Sequence, residues 1–116
     1  MNTGSLGSEY IDLDDGLARM GGNMALYKRL LGRFVGDDLY SELEGFIMSG
    51  NLDDATRQAH SIKGVSGNLS LMKLNSISIE LERLLKEKAD YSSQLSEMKQ
   101  VYDNTIEKIR ELIDEV

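Results

Sequence analysis

The sequence predicts an all-α protein: an antiparallel up-and-down four-helix bundle with an additional short N-terminal helix. Two observations favour helices. Apolar residues recur at intervals of three and four nearly everywhere after residue 10, and the 116 residues include no proline. The third observation is the scarcity of the β-branched and aromatic clusters that favour strands. Short connections between four long amphipathic segments then indicate the up-and-down order of a bundle.

The stretch "IDLDDGLARM" at 11–20 predicts the short helix, which the glycines at 21 and 22 should end. Asn23 is a good N-cap for the first bundle helix. The "GDD" at 36–38 should interrupt or bend this helix, and "SGN" at 49–51 is a turn. The apolar residues of the first bundle helix are Leu26, Tyr27, Leu30, Leu31, Phe34, Val35, Leu39, Leu43, Phe46 and Ile47.

The second bundle helix is expected to begin near Leu52, with Asn51 as its cap. Its apolar residues are Leu52, Ala55, Ala59, Ile62 and Leu69. Those of the third bundle helix are Leu71, Leu74, Ile77, Leu81, Leu84 and Leu85, and "KEKADYSS" at 86–93 breaks the pattern. Those of the last helix are Leu95, Met98, Tyr102, Ile106, Ile109, Ile113 and Val116.

Composition limits the classes of function. A net charge of −7 argues against sequence-independent nucleic-acid binding, which needs a basic surface. No apolar run approaches the roughly 20 residues of a membrane helix, and the absence of cysteine excludes disulfides and thiolate metal sites. Residues 1–9 are predicted to be a flexible leader, tag or linker without a signal-peptide pattern, and residues 10–116 a single domain. We expect a cytoplasmic monomer.

The stretch "AHSIKGVSGN" at 59–68 contains the only histidine of the chain and two glycines, each of which costs a helix about 1 kcal/mol. At about 100° per residue, His60 lies about 130° from the centre of the apolar stripe, so its ring should face solvent. Gly64 and Gly67 fall beside it, and Lys63 falls between the histidine and the core. The expected surface is an exposed imidazole, a neighbouring cation and a backbone patch without side chains.

Four roles can be considered for a lone histidine, and the surrounding residues favour some more than others. An exposed histidine is most often a simple surface residue, and a metal site needs further ligands that this helix does not supply. A catalytic triad needs an orienting acid that the sequence does not single out. Phosphoryl chemistry fits better, because a neutral imidazole nitrogen is a nucleophile, a lysine can pair with phosphoryl oxygens, and glycines leave room for in-line approach.

The stretch "AHSIKGVSGNLSL" resembles the signature of histidine-containing phosphotransfer (HPt) domains, A-H-x-[LI]-K-G-x-x-x-x-[LI]-[GS]. The upstream "IDLDDGLARMGGNMALYKRLLGRFV" is similar to the family's N-terminal helix and first bundle helix, and "LNSISIELERLL" to its third bundle helix. The resemblance covers about residues 10 to 114. Two residues depart from the commoner pattern: Ile62 stands in place of leucine, and Ser70 in place of glycine, where it could alter how closely a partner packs.

The resemblance implies that His60 is the phosphoacceptor, Lys63 a phosphate-facing cation and Gly64 a position kept bare for a docking receiver domain. We also assign Gly67 to this clearance. The docking surface would include the short helix and parts of the first two bundle helices. Its candidate residues are Leu17, Met20, Phe34 and Arg57, with core packing as the alternative for the three apolar ones.

By the same resemblance the protein is a phosphorelay intermediate and not an enzyme by itself. Its partners would be response-regulator receiver domains and a hybrid sensor histidine kinase, and it would need no cofactor, since Mg²⁺ belongs to the receiver. One alternative is the phosphoacceptor helix pair of a histidine kinase, which places an acidic residue after its histidine, whereas Ser61 stands here. The other alternative is a helical adaptor without phosphotransfer.

Overall fold

A computed structural model describes residues 9–115, so residues 1–8 of the expected leader and Val116 of the last stripe lie outside the described residues. Over the described range the chain forms helices and no strand, which confirms the predicted all-α class. The helices are α1 (Leu13–Arg19), α2 (Met24–Asp37), α3 (Leu39–Met48), α4 (Leu52–Asn68), α5 (Met72–Glu87) and α6 (Ser92–Glu115).

The bundle has the predicted up-and-down order. Helix α3 packs on α4, α4 on α5 and α5 on α6, and α6 closes the ring against α2. None of the helices described is long and apolar enough to span a membrane. The largest fully buried side chains of the core are Ile11, Tyr27, Leu31, Phe34, Leu43, Ile62, Leu71, Leu74, Leu81, Met98, Ile109 and Leu112.

The first bundle helix consists of two helices, α2 and α3, separated by Asp38. This residue adopts a left-handed conformation (φ 48°), which ends α2, and the backbone N–H of Leu39 donates to the hydroxyl of Tyr102 (3.0 Å). The predicted interruption at 36–38 is therefore confirmed. It costs on the order of 1 kcal/mol, because a residue with a Cβ is strained in this region.

The N-terminal segment belongs to the bundle. The N–H of Asp12 donates to the carbonyl of Ser70 (2.9 Å), and the N–H of Met72 donates to the carbonyl of Tyr10 (3.1 Å). Ile11, between them, has no exposed surface. Residues 10–12 thus join the turn between α4 and α5 before α1 begins.

The predicted helix end and cap at residues 21–23 are confirmed, whereas the predicted cap at Asn51 is not. Gly21 and Gly22 have φ values of +64° and +78°, and the side chain of Asn23 caps α2 by accepting from the N–H of Leu26 (3.0 Å). Asn51 precedes α4 as expected, but its side-chain amide donates to Asp54 (2.6 Å) and makes no capping bond. Leu52, expected on the apolar stripe, is 38% exposed, because it lies at the first position of α4, near the end of the bundle.

Candidate functional site

Helix α4 presents His60 on the outer side of the bundle. Ala55, Ala59 and Ile62 bury its inner face, and the ring of His60 is 64% exposed, as the helical spacing predicts. The apolar inner face holds this helix in place although it contains two glycines, since tertiary packing outweighs intrinsic helix propensity. The histidine is thereby fixed to a rigid element while one edge of its ring remains open to solvent.

A buried carboxylate from α5 lies under the histidine. Glu82 is only 6% exposed at its side chain, and its Oε2 lies 2.9 Å from Nδ1 of His60. The other oxygen, Oε1, lies 2.8 Å from Nζ of Lys63. Nζ of Lys86, one turn further along α5, lies 3.0 Å from Oε2. One carboxylate therefore holds the imidazole and two ammonium groups together.

The charge on Glu82 decides which nitrogen of His60 is reactive. Burial raises the pKa of Glu82, but hydrogen bonds from Lys63, Lys86 and His60 outweigh it, so the pKa falls to about 2. At neutral pH the carboxylate has no proton to donate, so Nδ1 of His60 must be the donor in their hydrogen bond. The neutral ring then carries its lone pair on Nε2, away from Glu82.

The two glycines of α4 differ in their surroundings. A Cβ at Gly64 would meet nothing within 4 Å, so this flank of His60 is open. A Cβ at Gly67 would lie 3.2 Å from Nδ2 of Asn75, whose amide donates to the carbonyl of Lys63 (2.9 Å). The prediction that Gly67 leaves clearance for a partner is therefore wrong, because α5 occupies that space. Gly67 lets α4 and α5 approach each other instead.

The candidate docking residues also differ in their exposure to solvent. Phe34 is 2% exposed and lies against the ring of Tyr102 with centroids 5.5 Å apart, so it is a core residue, which was the alternative to docking for this residue. Leu17 and Met20 are half-buried. Arg57 is exposed and paired with Asp54. A groove of about 630 Å³ runs beside α4, and it is lined by Arg19, Met20, Leu30, Arg33, Phe34, Asp37, Val65, Asn68 and Leu69.

Ser70 is buried, so it cannot contact a partner directly. It is 1% exposed and has a φ of +58°, in the left-handed region, at the end of α4. Its hydroxyl donates to Oδ2 of Asp15 (2.5 Å), and this hydrogen bond, with that from Arg19, lowers the pKa of Asp15. The expectation that Ser70 affects partner packing is therefore wrong. Serine is accommodated in a conformation that favours glycine, and it ties the α4–α5 turn to α1.

Sequence reasoning missed two residues of this site, Glu82 and Lys86. Glu82 lies in the segment whose apolar pattern explained the third bundle helix, so it appeared to be an ordinary solvated residue. Lys86 begins "KEKADYSS", which is expected to break that pattern, although α5 continues to Glu87. A signal did exist: an acidic residue directly follows buried Leu81 and has a lysine four residues later. What the sequence could not supply was the register of α5 against α4, which brings Glu82 opposite His60.

An exposed histidine on a helical bundle, held through one ring nitrogen by a buried carboxylate and flanked by lysine, presents its other ring nitrogen to solvent as a nucleophile. The family model described as the Hpt domain matches residues 35–116. Because this match covers more than half of the chain, the protein belongs to the Hpt domain family. Comparisons with curated proteins and with solved structures each gave no match.

Family membership carries a general function. Hpt domains transfer phosphoryl groups by way of histidine in two-component and phosphorelay signalling, and they act as carriers rather than as classical enzymes. They interact with receiver domains and histidine kinases. The match begins at residue 35, so α1 and most of α2 lie before it, although both pack into the same bundle.

Proposed function

We propose that Nε2 of His60 accepts a phosphoryl group from the aspartyl phosphate of a receiver domain and passes it to another receiver domain. The observation that carries this proposal is the hydrogen bond between Nδ1 of His60 and the buried carboxylate of Glu82, 2.9 Å long. It supports a ring whose free lone pair lies on the solvent-exposed nitrogen, where a second protein can reach it.

The transfer step balances without any proton movement. The Nε2 lone pair forms the N–P bond while the P–O bond of the aspartyl phosphate breaks, and its electron pair returns to the receiver's carboxylate. The product is a phosphorylated imidazolium that keeps its proton on Nδ1, and Glu82 compensates this positive charge. In the reverse step the ring departs as a neutral imidazole, which is a good leaving group.

Lys63 would serve as the phosphate-facing cation. Lys63 lies on the same helix as His60, and its side chain is 32% exposed. In the unphosphorylated protein its ammonium contacts Oε1 of Glu82. A dianionic phosphoryl group on Nε2 offers this ammonium a stronger partner than a carboxylate that Lys86 already neutralises in part. Lys63 can therefore turn outward on phosphorylation without leaving Glu82 unpaired.

The receiver would approach over Gly64 and along the groove beside α4. Gly64 offers open backbone one turn from His60. The groove is lined by apolar side chains together with Arg19 and Arg33, a mixture that suits a protein interface. Leu17 of α1 and Met20, the residue that caps its C-terminal end, remain docking candidates. The receiver supplies the Mg²⁺ and the acidic pocket of the reaction, and this chain supplies a positioned nucleophile.

Transfer of a labelled phosphoryl group from a phosphorylated receiver domain tests this proposal. The parent should acquire an acid-labile, base-stable label, and His60→Gln should acquire none while it retains its helical circular dichroism. Binding of the receiver to His60→Gln controls for docking, since glutamine leaves the groove and Gly64 intact. Binding without label on the parent, with several receivers, would leave a docking adaptor as the function. Label on His60→Gln would place the chemistry elsewhere.

A further inference from the structure

Lys86 does not contact the transferred phosphoryl group in the step described above, yet it contacts the carboxylate oxygen that accepts the hydrogen bond from Nδ1 of His60. Its Nζ lies 3.0 Å from Oε2 of Glu82, and Nδ1 of His60 lies 2.9 Å from the same oxygen. Lys63 contacts the other oxygen. Lys86 and the imidazole therefore share the lone pairs of one oxygen. An ordinary surface ion pair at i, i+4 has no such third partner.

The Nδ1 proton controls how long a phosphoryl group remains on Nε2. In hydrolysis, a water oxygen forms a bond to phosphorus, the Nε2–P bond breaks with its electron pair going to the ring, and the water gives a proton to solvent. With Nδ1 protonated, the departing group is neutral imidazole. Without that proton it would be an imidazolate anion, a far poorer leaving group. An interaction that favours the protonated form of Nδ1 therefore shortens the lifetime of the phosphohistidine.

We propose that Lys86 is a positioning residue that lengthens the life of phosphorylated His60 by sharing Oε2 of Glu82 and weakening that oxygen's hold on the Nδ1 proton. This inference rests on the proposed phosphotransfer function. Because the ammonium contacts Oε2 of Glu82 from the next turn of α5, it acts through Glu82. Lys63, by contrast, is free to turn to the phosphoryl group.

The other charges near the site are engaged elsewhere. On α4, Arg57 pairs with Asp54, and on α5, Arg83 pairs with Glu87 (3.1 Å). Helix α6 packs on α5, and its ion pairs among the described residues are made within α6 itself, between Lys99 and Asp103 and between Lys108 and Glu111. The groups that face Glu82 directly are thus His60, Lys63 and Lys86.

The test measures decay of the phosphohistidine as a function of pH in the parent and in Lys86→Met, which keeps an apolar stem and removes the ammonium. The small donor phosphoramidate loads the histidine, so no receiver is needed. The decay rate changes with pH around a midpoint at which half of the phosphohistidine carries the Nδ1 proton. In Lys86→Met this midpoint should rise by half a pH unit or more, which corresponds to about threefold faster decay above the midpoint. Lys86→Arg should behave as the parent.

Arg83→Met is the matched control. It removes one positive charge from the same helix, one turn from Lys86, at a side chain that pairs with Glu87. A rise of the midpoint in both methionine variants would mean a general charge effect and would overturn the inference, as would an unchanged midpoint in Lys86→Met. Faster decay at every pH with an unchanged midpoint would instead assign Lys86 to direct phosphoryl contact, which also overturns it.

A second readout separates this inference from the proposed function. The ¹³C resonance of the Glu82 carboxyl, followed against pH in the unphosphorylated parent and variants, reports the effect of Lys86 on Glu82 without any phosphotransfer. The pKa of Glu82, held at about 2, should rise towards its ordinary value in Lys86→Met and remain low in Arg83→Met. Failure of a receiver to phosphorylate His60 would contradict the proposed function while this titration still decides whether Lys86 acts on Glu82.

Discussion

Glu82 is the residue on which the electrostatics of the site depend. A buried carboxylate is stable only when cations or hydrogen-bond donors compensate its desolvation, and here three donors do so from two helices. The arrangement serves two purposes. It joins α4 to α5 at the surface of the bundle, and it fixes the protonated nitrogen of the only histidine in the chain.

The low pKa of Glu82 predicts acid sensitivity. Because its pKa is about 2 when folded and about 4.5 otherwise, the unfolded chain binds the proton more readily. The stabilisation is fully present above pH 4.5 and is lost as the pH falls from about 4.5 to 2. Its upper limit is about 3 kcal/mol, reduced by the exposure of the lysine ammonium groups.

Urea unfolding at pH 7 and pH 3 measures this effect. The free energy of unfolding of the parent should fall more between these two pH values than that of Glu82→Gln, in which the titrating group is absent. Glu80→Gln, on the same helix and exposed, is the control and should follow the parent. Equal losses in the parent and in Glu82→Gln would contradict the ion cluster.

At this scale the sequence predicted only part of the site. The exposure of His60 and the openness at Gly64 follow from helical spacing alone, which a single helix determines. Glu82 and Lys86 could not be found in that way, because their role depends on how two helices are set against each other. Gly67 illustrates the same limit, since its space is filled by Asn75 from α5.

Helix α4 is less stable than it could be, and its His60 is more accessible to a partner as a result. Its inner face is packed with small and branched apolar residues, while Gly64 leaves the outer face bare next to His60. Intrinsic propensity favours alanine over glycine at an exposed helix position. The element would therefore be more stable with a side chain at this position, and the proposed docking of a receiver gives a reason for its absence.

Substitution at Gly64 tests both effects. Gly64→Ala should stabilise the protein by about 0.5–1 kcal/mol, and Gly64→Gln should slow phosphoryl transfer from a receiver at least tenfold by obstructing docking. Gly45→Ala, in α3 with nothing within 4 Å of the added Cβ, should bring the same stabilisation with unchanged transfer. Transfer to Gly64→Gln at the parent's rate would contradict the assigned clearance.

At the contact between α1 and α2, replacing a glycine by alanine should destabilise the protein instead of stabilising it. A Cβ at Gly16 would overlap the ring of Tyr27, whose hydroxyl donates to the carbonyl of Leu69 (2.5 Å). Gly16→Ala should therefore destabilise the protein by about 1–3 kcal/mol despite the better helix propensity of alanine. Thermal unfolding monitored by circular dichroism, beside Gly45→Ala, distinguishes the two; stabilisation by both would contradict the close packing.

For the whole molecule, hydrophobic periodicity predicted the helices and their order, and short connections predicted the up-and-down topology. The attachment of residues 10–12 to the α4–α5 turn was not predictable. It consists of isolated backbone hydrogen bonds between segments far apart in sequence, and such pairs leave no periodic signal. These residues also precede the part of the chain that the family model matches, yet they close one end of the same core.

Ile11→Ala tests whether this segment is part of the cooperative fold. Ile11 is completely buried, so the substitution should cost about 2–4 kcal/mol in one unfolding transition. Leu52→Ala is the control at a 38% exposed position and should cost less than about 1 kcal/mol. Equal, small losses in urea unfolding would mean that the segment is only loosely attached to the bundle.

The most direct test of the central claim is nitrogen–phosphorus NMR on the protein with ¹⁵N-labelled histidine after phosphorylation by a receiver domain. We expect phosphorus to be bonded to Nε2 of His60 and Nδ1 to retain its proton, since Glu82 accepts from Nδ1. Phosphorus on Nδ1, or on a residue other than His60, would mean that Glu82 does not determine the reactive nitrogen.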